Sequence, residues 1–485
     1  MIPGARTDRR SLLIGGGSTA LLGAMPLARA QQAAPEKADY TLKIATGLVE
    51  LAPEHIVSTT LYNAQFPGPL LRFREGKPVT VDVVNDTDVP ELVHWHGQMI
   101  PSEVDGAAEE GTPFIPSHGT RRIAFTPKPA GLRFVHTHVV AAGDLTRGTY
   151  TGQAAPVYIE PAQNPGAYDR EVFLVLKEFL PFFSQGGDMT MDFLTGTALP
   201  ELKTMGAEQD DKFKGPKGYE VGYERFSING KMLGHGDPLR VKQGEKVLFH
   251  LLNASAGEIR SLALPGHTFR VVALDGNPVP RPAEVPVLWI GTAERISAIV
   301  EMNHPGVWVM GDLDDDDRGH GMGIVVEYAN QTGKPLWHKP AAAHWDYALF
   351  AKPGATAAQP DETVEITITK QNGALNGFNQ WSLNGVAFSM QTMTPTYTVH
   401  QGGRYRFKFR NASDDIHPLH LHRHSFELAQ IGGKPTAGVI KDVFMLGGFQ
   451  EAAFDFVADN PGLTLFHCHQ QLHMDYGFMA VLRYA

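Results

Sequence analysis

The sequence predicts an all-β chain made of three copies of one β-sandwich, and three observations carry that expectation. Apolar residues alternate in short runs such as Val79 to Val84 and Arg404 to Phe409, the period of a strand with one buried face. Gly, Pro, Asn and Asp interrupt the runs, and helical periodicity is scarce. A unit also repeats: a glycine, an alternating strand, then an asparagine nine positions later followed by a loop.

The unit occurs as GKPVTVDVVN from Gly76 to Asn85, GEKVLFHLLN from Gly244 to Asn253, and GGRYRFKFRN from Gly402 to Asn411. An asparagine near a turn precedes each, at Asn63, Asn229 and Asn384, and a glycine opens a final strand after each, at Gly131, Gly306 and Gly462. Linker-like segments from Pro161 to Pro165 and from Asn330 to Glu362 then divide the chain into domains at 31–162, 163–335 and 336–485. Within the second copy, Leu180 to Lys217 has no counterpart and reads as a surface insertion. The acidic run Asp314 to Asp317 reads as a solvated loop.

Composition narrows the function. The chain has 485 residues, 42% hydrophobic and 19% charged, which is ordinary globular writing with room for two to four domains. A net charge of −10 without a basic run argues against a nucleic-acid partner. Residues 1–30 read as an export signal: Arg6, Arg9 and Arg10, the apolar run from Ser11 to Leu27, and the small-x-small site Ala28-Arg29-Ala30. The Arg9-Arg10 pair resembles a twin-arginine signal, so a periplasmic or secreted location is expected. The run is too short and too glycine-rich at Gly15 to Gly17 for a membrane anchor, and no membrane span is expected in the mature form. The single cysteine, Cys468, cannot form an internal disulfide.

The repeat also places the histidines. Nine and eleven residues beyond the repeat asparagine stand His94 and His96 in copy one, and His420 and His422 in copy three. Five and seven residues beyond the final-strand glycine stand His136 and His138, and His467 and His469. Copy two carries Leu262, Leu264, Gly311 and Leu313 at those offsets and has no such site. Residues two apart on a strand share a face about 6.6 Å apart, so each His-x-His pair can aim two imidazoles at neighbouring metal ions. Chance polar histidines would not repeat the spacing, and the equivalence of the pairs sets copies one and three face to face with copy two bridging. His417, Cys468 and His473 form a further set of two imidazoles and a thiolate, the blue-copper type of electron-transfer site. Zinc is the competing metal, but the Cys-rich spacing of structural zinc is missing.

The segments HWHG (94–97), HTH (136–138), HPLHLH (417–422) and HCHQQLH (467–473) resemble the four copper motifs of the multicopper oxidases, the family of laccases, ascorbate oxidases and bacterial cuprous oxidases, over essentially the whole mature chain. The resemblance implies three cupredoxin-like Greek-key domains and four copper ions: type 2 copper on His94 and His420, a type 3 pair on His96, His136, His138, His422, His467 and His469, and type 1 copper on His417, Cys468 and His473. His424 is read as structural. Phe478 stands where the family often has an axial methionine, so the type 1 site is expected to be a stronger oxidant, with Met479 pointing away by strand alternation. Asp105, in EVDG, resembles the family's carboxylate near the type 2 copper, and with Asp475 is a candidate proton donor.

The implied function is a laccase-like oxidase, expected to act as a monomer, that takes electrons from a phenol, aromatic amine or similar small donor and reduces dioxygen to water. A cuprous oxidase acting in copper tolerance is the nearest alternative, with Met189, Met191 and Met205 in the insertion as a thin copper-collecting signal. A copper-binding protein without turnover, and a nitrite reductase, fit the motifs less well.

Overall fold

A computed structural model of the protein describes residues 37–161, 167–185, 193–212 and 217–485. The expected export signal, like Met189 and Met191, lies outside the described residues.

The three repeat strands, Val79–Asn85, Lys246–Asn253 and Arg404–Asn411, occupy the same place in three sandwiches. Each runs parallel to a preceding strand, Tyr40–Ala52, Arg170–Gln185 or Glu362–Leu375. Each pairs antiparallel on its other edge with Thr120–Phe125, Arg295–Glu301 or Glu451–Val457. The alternation read from the sequence is the alternation of burial: odd positions of Val79–Asn85 are buried and even ones half exposed. The glycines that open the unit have φ of 73°, 81° and 84°, a turn conformation that a Cβ disfavours.

The repeated asparagines clamp loops identically in each copy. Asn63, Asn229 and Asn384 adopt φ of 53°, 53° and 51°. Their Oδ1 atoms accept from the amides of Lys43, Val175 and Thr367, and their Nδ2 groups donate to the carbonyls of Thr41, Phe173 and Glu365. Asn85, Asn253 and Asn411 are buried. Each accepts at Oδ1 from the amide two residues on and donates from Nδ2 to carbonyls across the loop, including those of Ile115, Ile290 and Gly447.

A second sheet closes each sandwich. In copy one Val93–His96, Gly131–Thr137, Ala154–Glu160 and Leu71–Arg74 form it, and in copy three Val443–Leu446, His417–Leu421, Thr464–Cys468, Met479–Tyr484 and Thr396–Val399 do so. The first sheets of copies two and three merge into one twelve-stranded sheet through the single register pair Tyr219↔Phe378. Part of the seam is apolar: Leu132, Phe134 and Tyr158 of copy one pack with Val175, Leu252 and Ala293 of copy two and Val443 of copy three.

Two expectations change. The stretch Leu180 to Lys217 is not simply a surface insertion, because the strand Arg170–Gln185 runs into it and Phe193 beyond is buried, stacked on Trp289 at 3.9 Å. It also holds a helix, Pro200–Lys212, that no periodicity announces. Leu202 is buried there and a Cβ at Gly206 would run into Phe449 and the Ala412 carbonyl, while Met205 is exposed. The run Asp314 to Asp317 is not all solvated loop: Asp314 caps the short helix Asp315–Gly319, and Asp317 pairs with buried Arg260 at 2.6 Å.

Candidate metal centre

Strand pairing brings the histidines together. His94 is the register partner of His136, and His420 of His467. The paired strands of copies one and three then face each other: the His94 ring stacks on His422 at 4.0 Å, and His96 on His420 at 3.8 Å. All eight residues of the four pairs are buried, none more than 5% exposed. Ligand atoms of His94, His96 and His136, of His94, His420 and His422, and of His138, His422 and His467 lie within 4.8 Å of one another in each group.

Proton placement decides what such a cluster can hold. A neutral imidazole has one N–H and one lone pair. Nδ1–H donates to the carbonyl of Asp105 from His94 (2.9 Å), of Thr137 from His136 (2.7 Å), of Asp442 from His420 (2.7 Å) and of Cys468 from His467 (2.8 Å). Nε2 of each ring must then be a lone pair. For His94, His136 and His420 that atom has no hydrogen-bond partner among the described residues. His422 donates from Nδ1 to Asp105 Oδ2 at 2.8 Å, so its Nε2 is a lone pair as well, and it faces Nε2 of His467 at 3.0 Å. Two lone pairs so close repel unless a cation lies between them. A proton is disfavoured, because burial holds both imidazoles well below their usual range. A nitrogen-rich donor set with inward lone pairs fits a transition-metal ion. His96 is turned round: its Nε2–H donates to Asp442 Oδ1 at 3.1 Å, which leaves Nδ1 toward the cluster.

Cys468 ends the strand Thr464–Cys468 and faces away from His467 within it and His469 just beyond it. Its Sγ lies 3.7 Å from Nδ1 of His417 and 3.6 Å from Nδ1 of His473, so the two-imidazole, one-thiol set is assembled. His473 sits on a short helix, Gln471–Asp475, that touches all three copies. Gln471 donates its amide to Ala256 O (2.8 Å) and its Nε2 to Val139 O (3.3 Å), and accepts from Thr149 N (2.9 Å). Trp381 packs against His417, His473 and Phe478. Phe478 is buried, 4.9 Å from the His417 ring, whereas Met479 packs elsewhere, with Ala107, Leu465 and Met474. Phe478→Met is expected to lower the reduction potential of a copper held here, by offering a thioether where a ring now stands; redox titration of the blue absorption checks it.

Asp105 lies against the cluster. Its Oδ2 is 2.8 Å from His422 Nδ1 and 3.0 Å from His94 Nδ1, and its Oδ1 has no partner among the described residues. Behind it stands Glu110, 3.6 Å from His422 Nδ1, its carboxyl pushed well up by burial and by Asp105. Asp475 lies outside these contacts: its Oδ2 accepts from the amides of Ala141 (3.0 Å) and Ala142 (2.9 Å), just beyond His138, and burial pushes its carboxyl up to about 7. His424 bonds to Tyr484 OH at 2.7 Å and to the His422 carbonyl at 3.1 Å. Sequence reasoning missed Glu110 and Asp442, because neither falls at a repeated offset and only the fold brings them to the histidines.

A narrow pocket opens beside His473, lined by Tyr150, Glu220, Tyr223, Glu258 and Asp415. Glu220 Oε2 is 3.6 Å from His473 Nε2. Burial raises the Glu258 carboxyl to about 7.

Comparison with known proteins finds relatives of the whole chain. Multicopper oxidase family models match residues 44–164, 203–329 and 357–485. The chain is 29% identical over 438 residues to the multicopper oxidase MmcO of Mycobacterium tuberculosis, covering 88% of this chain and 84% of that protein. Among solved structures it is similar to a multi-copper oxidase from Pseudomonas thermotolerans (25% identity, TM-score 0.67, 93% of this chain and 100% of that one). A laccase from Botrytis aclada shares the fold (18% identity, TM-score 0.73, 91% of this chain and 87% of that one).

Proposed function

The chain belongs to the multicopper oxidase family, and from that premise we propose that it is a laccase-like oxidase of small aromatic donors. The observation that carries the copper-oxidase part of the reading is the pair of inward Nε2 atoms of His422 and His467, 3.0 Å apart among the eight buried histidines. We assign type 2 copper to His94 and His420, the type 3 pair to His96, His136, His138, His422, His467 and His469, and type 1 copper to His417, Cys468 and His473, four ions in all. Copper bound there supplies one-electron redox chemistry, between the donor at one end and dioxygen at the other.

The residues themselves supply the path and the protons. Cys468 is joined through the backbone to His467 on one side and His469 on the other, a covalent connection on the order of 10 Å between the two centres. Burial of all these side chains keeps water from the path. Asp105 holds the His94 and His422 rings in place and presents Oδ1 as a site from which a proton can be given, with Asp475, on the amides of Ala141 and Ala142, as a second carboxyl. The division at 31–162, 163–335 and 336–485, and export directed by residues 1–30, belong to the same proposal.

The acidic pocket at His473 favours a second reading, oxidation of a cationic donor such as an aromatic ammonium or monovalent copper. Glu220→Gln is expected to raise KM for such a donor about tenfold, at an unchanged KM for a neutral phenol. Because Glu258 ionises only as pH rises through about 7, binding of a cationic donor should tighten over that interval. Oxygen uptake of the copper-loaded protein against a neutral phenol, an aromatic amine and monovalent copper separates the readings. No uptake with any of them sinks both.

A further inference from the structure

The strongest unexplained feature lies where the three copies meet. Asp442 of copy three, Arg133 of copy one, and Arg295 and Asp275 of copy two all have 0% exposure. Asp442 Oδ1 accepts from His96 Nε2 (3.1 Å) and Arg295 Nη1 (2.6 Å), and its Oδ2 from Arg295 Nη2 (2.6 Å) and Arg133 Nη1 (3.1 Å). Its backbone oxygen accepts from His420 Nδ1 (2.7 Å), and its amide donates to Asp275 Oδ2 (3.2 Å). Arg295 is fixed in turn, with its amide on Asp275 Oδ1 (3.0 Å) and Nε on Leu132 O (3.2 Å).

Burying two guanidinium groups and a carboxylate is a poor route to stability, since an apolar trio of similar volume often does as well. A bidentate arginine fork does give direction, fixing a carboxylate plane within narrow limits. The backbone makes room for it: a Cβ at Gly97, next to His96, would lie 2.7 Å from both Arg295 Nη2 and Asp442 Oδ2. Asp442 touches a ring from each side of the cluster, His96 and His420, and it is the partner that turns His96 so that Nδ1 faces inward.

We propose that Arg295, on the copy that carries no ligand, is a positioning residue for the cluster: through Asp442 it fixes which nitrogen His96 presents and where the His420 ring stands. Copy two is then not a mere spacer. It holds the donor set of the other two in register. The proposal rests on the copper assignment of the eight histidines, and its test separates the two.

Arg295→Lys, which keeps the buried charge but loses the fork, and Asp442→Asn are prepared as full chains loaded with copper. Copper content after dialysis against a chelator, the type 2 electron paramagnetic resonance signal and the type 1 blue absorption are read for each. The expected result is an unchanged blue absorption with cluster copper held about 10- to 100-fold more weakly, and a diminished type 2 signal. Cluster copper and a type 2 signal equal to the parent's in both variants would overturn the proposal. So would loss of the blue absorption together with the cluster in Arg295→Lys, which marks a general folding role. If Asp442→Asn does not fold, Arg295→Lys alone decides. A parent protein that binds copper at His417, Cys468 and His473 but not at the eight histidines refutes the functional reading instead.

Discussion

Replacing Cys468 by serine is expected to abolish donor oxidation while leaving copper at the eight histidines. A hydroxyl is a poor ligand where a thiolate is needed, so the blue absorption should vanish. His467 and His469 point to the opposite face of Thr464–Cys468 and keep their positions, with His467 still bonded through Nδ1 to the carbonyl of residue 468 at 2.8 Å. Volume changes little, and residue 468 is fully buried among Phe466, Phe478 and Leu419, so the fold should hold. Oxygen uptake would fall to background with every donor, while the type 2 resonance signal persists. Uptake near the parent's rate would mean that electrons enter elsewhere.

The largest effect on stability is expected from Lys441→Met. Lys441 Nζ lies 2.9 Å from Asp275 Oδ2 and 3.0 Å from Glu294 Oε1, with all three side chains at 2% exposure or less. Removing the ammonium leaves the buried Glu294 carboxylate without its cation and Asp275 with Arg295 alone, a loss of about 3–5 kcal/mol. The pH dependence follows from the sign. Burial already raises the Glu294 carboxyl, while Lys441 helps to hold the Asp275 carboxyl down, so without Lys441 both would move up. A group whose folded pKa exceeds its unfolded value stabilises at low pH and loses that contribution as pH rises through the folded pKa. The deficit of the variant should therefore be greatest at about pH 8 and shrink toward about pH 5. Denaturant unfolding followed by tryptophan fluorescence at both pH values checks it, and an equal deficit at both would contradict the account.

What could be read from the chain follows from distance along it. The repeat was legible because its asparagines act locally, bonding amides two residues on, as Asn85 does to Thr87 and Asn411 to Ser413. The His-x-His pairs were legible because strand alternation alone puts both rings on one face. Asp442 was not, because its partners Arg133 and Arg295 are 309 and 147 residues away and belong to different copies. The helix Pro200–Lys212 stayed hidden for another reason: where its burial is described, it hides only Leu202 and Gly206, too narrow a stripe to stand out as a period. The merger of two sheets rests on one register pair, which no pattern of alternation encodes.

The helix Gln471–Asp475 bears on how separable the repeats are. His473 belongs to copy three in sequence, yet its helix is pinned by Thr149, Val139, Ala141 and Ala142 of copy one and by Ala256 of copy two. An excised third copy would therefore keep the residues of an electron carrier without the scaffold that seats one of them. Cutting the chain at its linkers should not yield a free-standing blue protein, and swapping a third repeat between relatives should work only when those neighbouring loops travel with it.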